Sequence, residues 1–108
     1  MSADQKQAFY NQGLEYYSQQ KYDEAIEEYK KAIEVDPQDG ELYLAVSMTY
    51  DRKAELDNAL EYARKAVDFM PREPLAYTNL SRIFQKKGMI PEAEDAMAIS
   101  KQIASGMM

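Results

Sequence analysis

Residues 9–37 read FYNQGLEYYSQQKYDEAIEEYKKAIEVDP, and residues 43–71, 34 positions later, read YLAVSMTYDRKAELDNALEYARKAVDFMP. Laid one over the other, the two stretches match in side-chain size where packing is decided. Phe9 falls on Tyr43, Gly13 on Ser47, Tyr16 on Tyr50, Tyr22 on Leu56, Ala25 on Ala59, Ala32 on Ala66 and Pro37 on Pro71. A second shift of the same length continues the series with Tyr77, Ser81, Phe84, Ile90, Ala93 and Ser100. Matched size classes at so many offsets mark an internal repeat, in which each copy is one supersecondary unit.

Within each copy the apolar residues recur at the helical period. The spacing predicts helices over about 4–19 and 22–35, then 40–53 and 56–69, then 74–87 and 90–105. The fold class is therefore all-α, with residues 1–108 as one domain of three hairpin units at about 6–39, 40–73 and 74–107. Small residues at Gly13 and Ala25, and again at Ser47 and Ala59, let paired helices approach closely, with the aromatic side chains filling the space above and below. Pro37 and Pro71 follow the second helices, where a missing N–H halts propagation. Asp39 is placed to cap the third helix. Gly88 permits the turn before the last helix, and Pro91 suits a first helical turn. One hairpin cannot bury its own apolar face, so the copies are expected to stack and share a core.

Composition narrows the function. The 108 residues carry 19 acidic and 13 basic side chains, a formal charge of -6, with the acidic excess in the first two thirds. Binding to a nucleic-acid backbone is driven by cations displacing counterions, so no nucleic-acid partner is expected. Attraction to anionic membranes is disfavoured for the same reason, and no run of apolar residues approaches the length of a membrane span. The first residues lack the apolar centre of a signal peptide, which makes the cytoplasm the expected location. Cysteine and histidine are absent. The usual thiol nucleophile, general base and zinc ligands are thus missing, no cofactor or metal is expected, and the chain reads as a non-enzyme. The carboxylates that cluster near Glu27 and Glu61 are spaced four residues before Lys31 and Lys65, as in ordinary surface ion pairs.

The repeat resembles the tetratricopeptide family, whose pattern is aromatic, small, aromatic, then alanine, aromatic, alanine and proline. The first unit gives Phe9, Gly13, Tyr16, Ala25, Tyr29, Ala32 and Pro37. The second gives Tyr43, Ser47, Tyr50, Ala59, Ala63, Ala66 and Pro71. The third gives Tyr77, Ser81, Phe84, Ala93, Met97 and Ser100, without the closing proline. The leucine favoured before the glycine is Gln12, Val46 and Leu80, so the first unit departs from the pattern. The resemblance implies a right-handed superhelix whose first helices line a concave groove for an extended peptide or a helix.

On that expectation the groove-facing positions are Gln7, Tyr10, Asn11, Leu14, Tyr17 and Ser18 in the first unit. In the second they are Glu41, Leu44, Ala45, Met48, Asp51 and Arg52, and in the third Leu75, Thr78, Asn79, Arg82, Gln85 and Lys86. Tyr10, Leu14, Tyr17, Leu44 and Met48 would form an apolar floor, since tyrosine offers rigid contact area and methionine adapts to irregular partners. Arg52, Arg82 and Lys86 would add positive charge for an acidic group on the partner. Asn11 and Asn79 belong to the same candidate groove set. Some members of the family hold an acidic chain terminus with a clamp of cations and asparagines. The matching places here are Tyr10, Leu14, Ala45, Leu75 and Asn79, none of them a cation, so that clamp is not expected. The other reading of the tyrosine cluster is mutual packing at the first end of the array.

The last helix differs from its predecessors. Ile26 and Leu60 become Glu94, and Ile33 and Val67 become Lys101, which predicts that this face meets water and that the array ends there. Conversely, Glu28 and Tyr62 become Ala96, and Lys31 and Lys65 become Ile99. Ala96, Ile99 and Ile103, continued by Met107, lie on one side of the helix and predict a covered stripe, with a two-fold homodimer as one candidate. Three functions therefore stand open: a peptide-binding module, a self-associating scaffold, and a dedicated chaperone for an assembled or secreted partner.

Overall fold

The computed structural model describes residues 3–106, so Met107 lies outside the described residues. Six helices follow one another in three antiparallel-neighbour pairs: α1 (Ala3–Ser18) with α2 (Tyr22–Val35), α3 (Gly40–Arg52) with α4 (Leu56–Phe69), and α5 (Pro74–Lys86) with α6 (Ile90–Ala104). No strand occurs among the described residues. The pairs stack into a slab of 38 × 28 × 19 Å, the form of a short helical solenoid.

The 34-residue spacing reappears in the bonding. Tyr43 donates through its hydroxyl to the Pro37 carbonyl at 2.6 Å, and Tyr77 does the same to Pro71 at 3.1 Å. Ser47 Oγ donates to the Ala59 carbonyl and Ser81 Oγ to the Ala93 carbonyl, each at 2.8 Å. A side chain larger than serine could not sit between those backbones, which is the physical content of the small residues at these positions. The third unit lacks a closing proline, and there Ser100 Oγ donates back to the Pro74 carbonyl at 3.0 Å, tying the end of α6 to the start of α5.

Each hairpin turn is closed in one way. Lys21 N donates to the Tyr16 carbonyl, Glu55 N to Tyr50 and Met89 N to Phe84, at 2.9, 3.0 and 2.8 Å. This is the bond of a Schellman cap, and it places the preceding residue in the left-handed region. Gln20 has φ 62°, Ala54 φ 61° and Gly88 φ 78°. Only the third turn uses glycine, so the sequence marks one turn of three. A side chain in this region costs about 1–2 kcal/mol relative to glycine. Ala54→Gly is therefore expected to stabilise by about 0.5–1 kcal/mol after the extra freedom of the unfolded chain is subtracted. Thermal melting should rise by a few degrees, and a melting temperature that falls would contradict this conformation.

Asp39 caps α3 as expected, accepting from Glu41 N at 3.1 Å, and Glu73 caps α5 by accepting from Leu75 N at 3.3 Å. The stacking surfaces are apolar. Ile26 is buried with Val46, and Leu60 and Val67 pack on the cluster formed by Leu80, Ile83 and Phe84. Their counterparts Glu94 and Lys101 are exposed.

The stripe on α6 is not as the sequence suggests. Ala96 is 4% exposed and belongs to the core cluster shared by α4, α5 and α6, while Ile99 and Ile103 are half-buried. The reason lies one repeat earlier. Tyr62, its counterpart, turns inward to stack on Tyr43 and meet Tyr50 at a tilt within its own hairpin, so this position faces the partner helix. Ala96 therefore cannot be the close-approach residue of a two-fold contact.

Candidate functional site

The first helices of the three pairs flank a cleft of about 400 Å³. From α1, spaced four and three apart, come Tyr10, Leu14 and Tyr17, and from α3 come Glu41, Leu44, Ala45 and Met48. Leu75 closes the side toward α5, and the turn between α4 and α5 contributes Met70 and Glu73. Leu14 and Leu75 are 42% and 51% exposed, values at which water contacts a large part of an aliphatic side chain.

Tyr29, on α2, forms part of the lining although it lies on the second helix of its pair. Its ring passes beneath α1 at Gly13, where an added Cβ would come within 2.4 Å of Cε1 and 2.6 Å of Cδ1. The small residue at position 13 thus makes room for a ring, not only for a neighbouring backbone. Tyr10 lies over Tyr29 with ring centroids 5.8 Å apart, and Tyr17 meets Tyr22 edge-on at 5.6 Å. The tyrosines do pack on each other, and the packed set still presents an open face to the cleft. Desolvation raises the hydroxyls of Tyr10 and Tyr29 above the ordinary tyrosine value, Tyr29 to about 12. They stay protonated near neutrality and can donate hydrogen bonds but not act as bases.

The charged residues expected along this face are arranged otherwise. Asp51, with a side chain 9% exposed, receives Lys86 Nζ at 2.7 Å and lies 3.9 Å from Arg82 Nε. Arg52 donates from Nε to the Tyr22 hydroxyl at 3.4 Å. All three cations lie outside the cleft lining. Asn79 is a correction: it is fully buried, and its amide donates to Ser47 Oγ at 2.9 Å, fastening α5 to α3. Its position faces the preceding hairpin rather than the groove. Asn11 is exposed on α1 and accepts from Gln7 Nε2 at 2.9 Å.

Of the residues expected at the site, the structure brings together Tyr10, Leu14, Tyr17, Leu44 and Met48. It leaves Asn11, Arg52, Asn79, Arg82 and Lys86 outside. Glu41, Ala45 and Leu75 were legible as groove-facing through helical spacing. Met70 and Glu73 carried no such signal, because they sit in a turn. Chemically, the cleft offers apolar contact, hydroxyl donors and two carboxylates. No group of three or more potential metal ligands converges among the described residues, and none of the helices is long and apolar enough to cross a membrane.

Comparison with known proteins places this geometry. Family models described as the tetratricopeptide repeat match residues 7–39 and 40–71. A search of curated proteins found no match. Among solved structures, the first TPR domain of Spaghetti (RPAP3), bound to the HSP90 peptide SRMEEVD, is similar with a TM-score of 0.90 and 22% identity. That match covers 95% of this chain and 82% of the other. MamA has a TM-score of 0.90 and 22% identity over 94% of this chain, which spans 60% of the MamA chain. The type III secretion translocator chaperone SycD of Yersinia enterocolitica has a TM-score of 0.91 and 18% identity, covering 96% of this chain and 79% of that one. At these identities the likeness establishes the fold.

Proposed function

Since the chain belongs to the tetratricopeptide repeat family, we propose that it is a non-catalytic module that holds a segment of another protein in the cleft between its first helices. One observation carries the proposal: an open cleft of about 400 Å³ lined by Tyr10, Leu14, Tyr17, Leu44, Met48 and Leu75. Such a contiguous apolar recess with a few polar groups is the usual form of a binding site. Rigid aromatic anchors and an adaptable methionine suit a segment that inserts two or three apolar side chains. The structurally similar Spaghetti domain is bound to a peptide, which supports this use of the fold.

The test begins with peptides selected from a random displayed library on the wild-type protein and then synthesised. Tyr10→Ala combined with Met48→Ala is expected to leave the helical circular dichroism intact and to weaken these peptides at least about tenfold, about 1.4 kcal/mol. A library that yields no binder, or binders indifferent to the double substitution, contradicts the groove reading.

A further inference from the structure

The cleft has a charge of its own, and it is opposite to the one the sequence suggests. Its lining contains two carboxylates, Glu41 and Glu73, and no lysine or arginine. Both side chains belong to exposed residues at the end of the cleft where α3 and α5 begin. Beside it lies a smaller recess of about 190 Å³, sharing Tyr10 and Glu41 and lined also by Lys6, Gln7, Asp39 and Leu42. The one cation there is engaged, for Lys6 Nζ lies 3.0 Å from Asp36 and 3.1 Å from Asp39. Two carboxylates around one ammonium leave that group over-neutralised, and Glu41 adds a further negative charge.

Three features could oppose this polarity, and none reverses it. The beginnings of α3 and α5 carry the positive ends of their helix dipoles, about half a charge each. Full charges on Asp39, Glu41 and Glu73 outweigh them, and Asp39 and Glu73 already cap those ends. Arg82 and Lys86 share the single carboxylate of Asp51 toward the opposite end of α5, and neither lines the cleft. Arg72, in the turn beside Glu73, has an interaction of its own and lines neither recess. The Tyr10 hydroxyl senses the same field. Desolvation chiefly, then Glu41 and Asp39, hold its pKa above the ordinary value.

Resting on the groove reading above, we infer that the bound segment carries a lysine or arginine next to its apolar anchors, seated over Glu41 and Glu73. An acidic segment would bring like charge against both carboxylates as docking excludes water from them, and such juxtaposition is costly. A segment of uniform apolar character would desolvate Glu41 without compensation. A cation beside the anchors satisfies both conditions, and it fits a chain whose overall charge is -6.

The experiment uses the library-selected peptides, measured on wild type, on Glu41→Lys, and on the Tyr10→Ala with Met48→Ala protein. Peptides of the inferred chemistry should contain a conserved basic position and lose about tenfold in affinity on Glu41→Lys. Replacing that position by glutamate should weaken binding to wild type and restore it on Glu41→Lys. Binding should also weaken as salt rises from about 0.05 to about 0.3 M. Peptides that need Tyr10 and Met48 but are acidic, or are indifferent to Glu41→Lys, overturn the charge inference and leave the groove reading standing. Peptides indifferent to Tyr10 and Met48 overturn both.

Discussion

Tyr29→Ala should destabilise the protein by about 3–5 kcal/mol, the range for deleting a buried aromatic ring. Tyr29 is 1% exposed and forms a cluster with Ala25, Ile26 and Val46, so its removal leaves a void between α1 and α2 that rigid neighbours cannot fill. The same contact can be tested from its other side. Gly13→Ala places a Cβ 2.4 Å from the Tyr29 ring, and an aromatic ring wedged between two helices cannot swing aside as a flexible chain end would. Overpacking of this sort costs about 1–3 kcal/mol, offset in part by alanine's helix propensity of about 1 kcal/mol. In the Tyr29→Ala background the clash is gone and only the propensity remains. Gly13→Ala should then change sign and become stabilising. Denaturant unfolding of the four proteins gives the cycle, and an alanine at 13 that has the same effect in both backgrounds would refute the contact.

Ala59→Leu is expected to destabilise by about 1–3 kcal/mol. Ala59 is fully buried, and Ser47 Oγ reaches its carbonyl at 2.8 Å, so α3 and α4 touch there without room for a longer side chain. The damage should extend beyond the pair. Ser47 also accepts from Asn79, so a shifted α3 loosens the fastening of α5 on α3. Ala98→Leu, on the exposed face of α6, is the control and should change stability by less than about 0.5 kcal/mol. Equal melting curves for Ala59→Leu and wild type would contradict this packing.

The repeat was legible because its causes are local and recur at a fixed offset. Small residues at Ser47 and Ser81, the cap at Asp39 and the prolines each report a backbone requirement at their own position. The turns at Gln20 and Ala54 were not legible, because a left-handed residue other than glycine leaves no compositional mark. The apolar part of the cleft was legible from the helical period of Tyr10, Leu14 and Tyr17. Its electrostatics were not. Whether Arg82 and Lys86 face a ligand or Asp51 depends on side chains from two hairpins meeting across a stack, and residue spacing within one helix does not encode that. Asn79 and Ala96 failed for a related reason. Helical position on α5 assigns Asn79 to the groove, and comparison of residue types across units assigns Ala96 to the surface. In the structure Asn79 turns onto the preceding hairpin and Ala96 onto the partner helix of its own.

The most direct test of the central claim, that the cleft is where a partner segment docks, is site-specific photo-crosslinking. A photoreactive amino acid is placed at Leu14 or Leu75, both exposed within the cleft, or at Lys101 on the outward face of α6. Each protein is irradiated with a library-selected peptide. Adducts are expected from positions 14 and 75, to disappear when Tyr10→Ala and Met48→Ala are added, and none from position 101. Adducts from position 101 with none from 14 or 75 would contradict docking in the cleft.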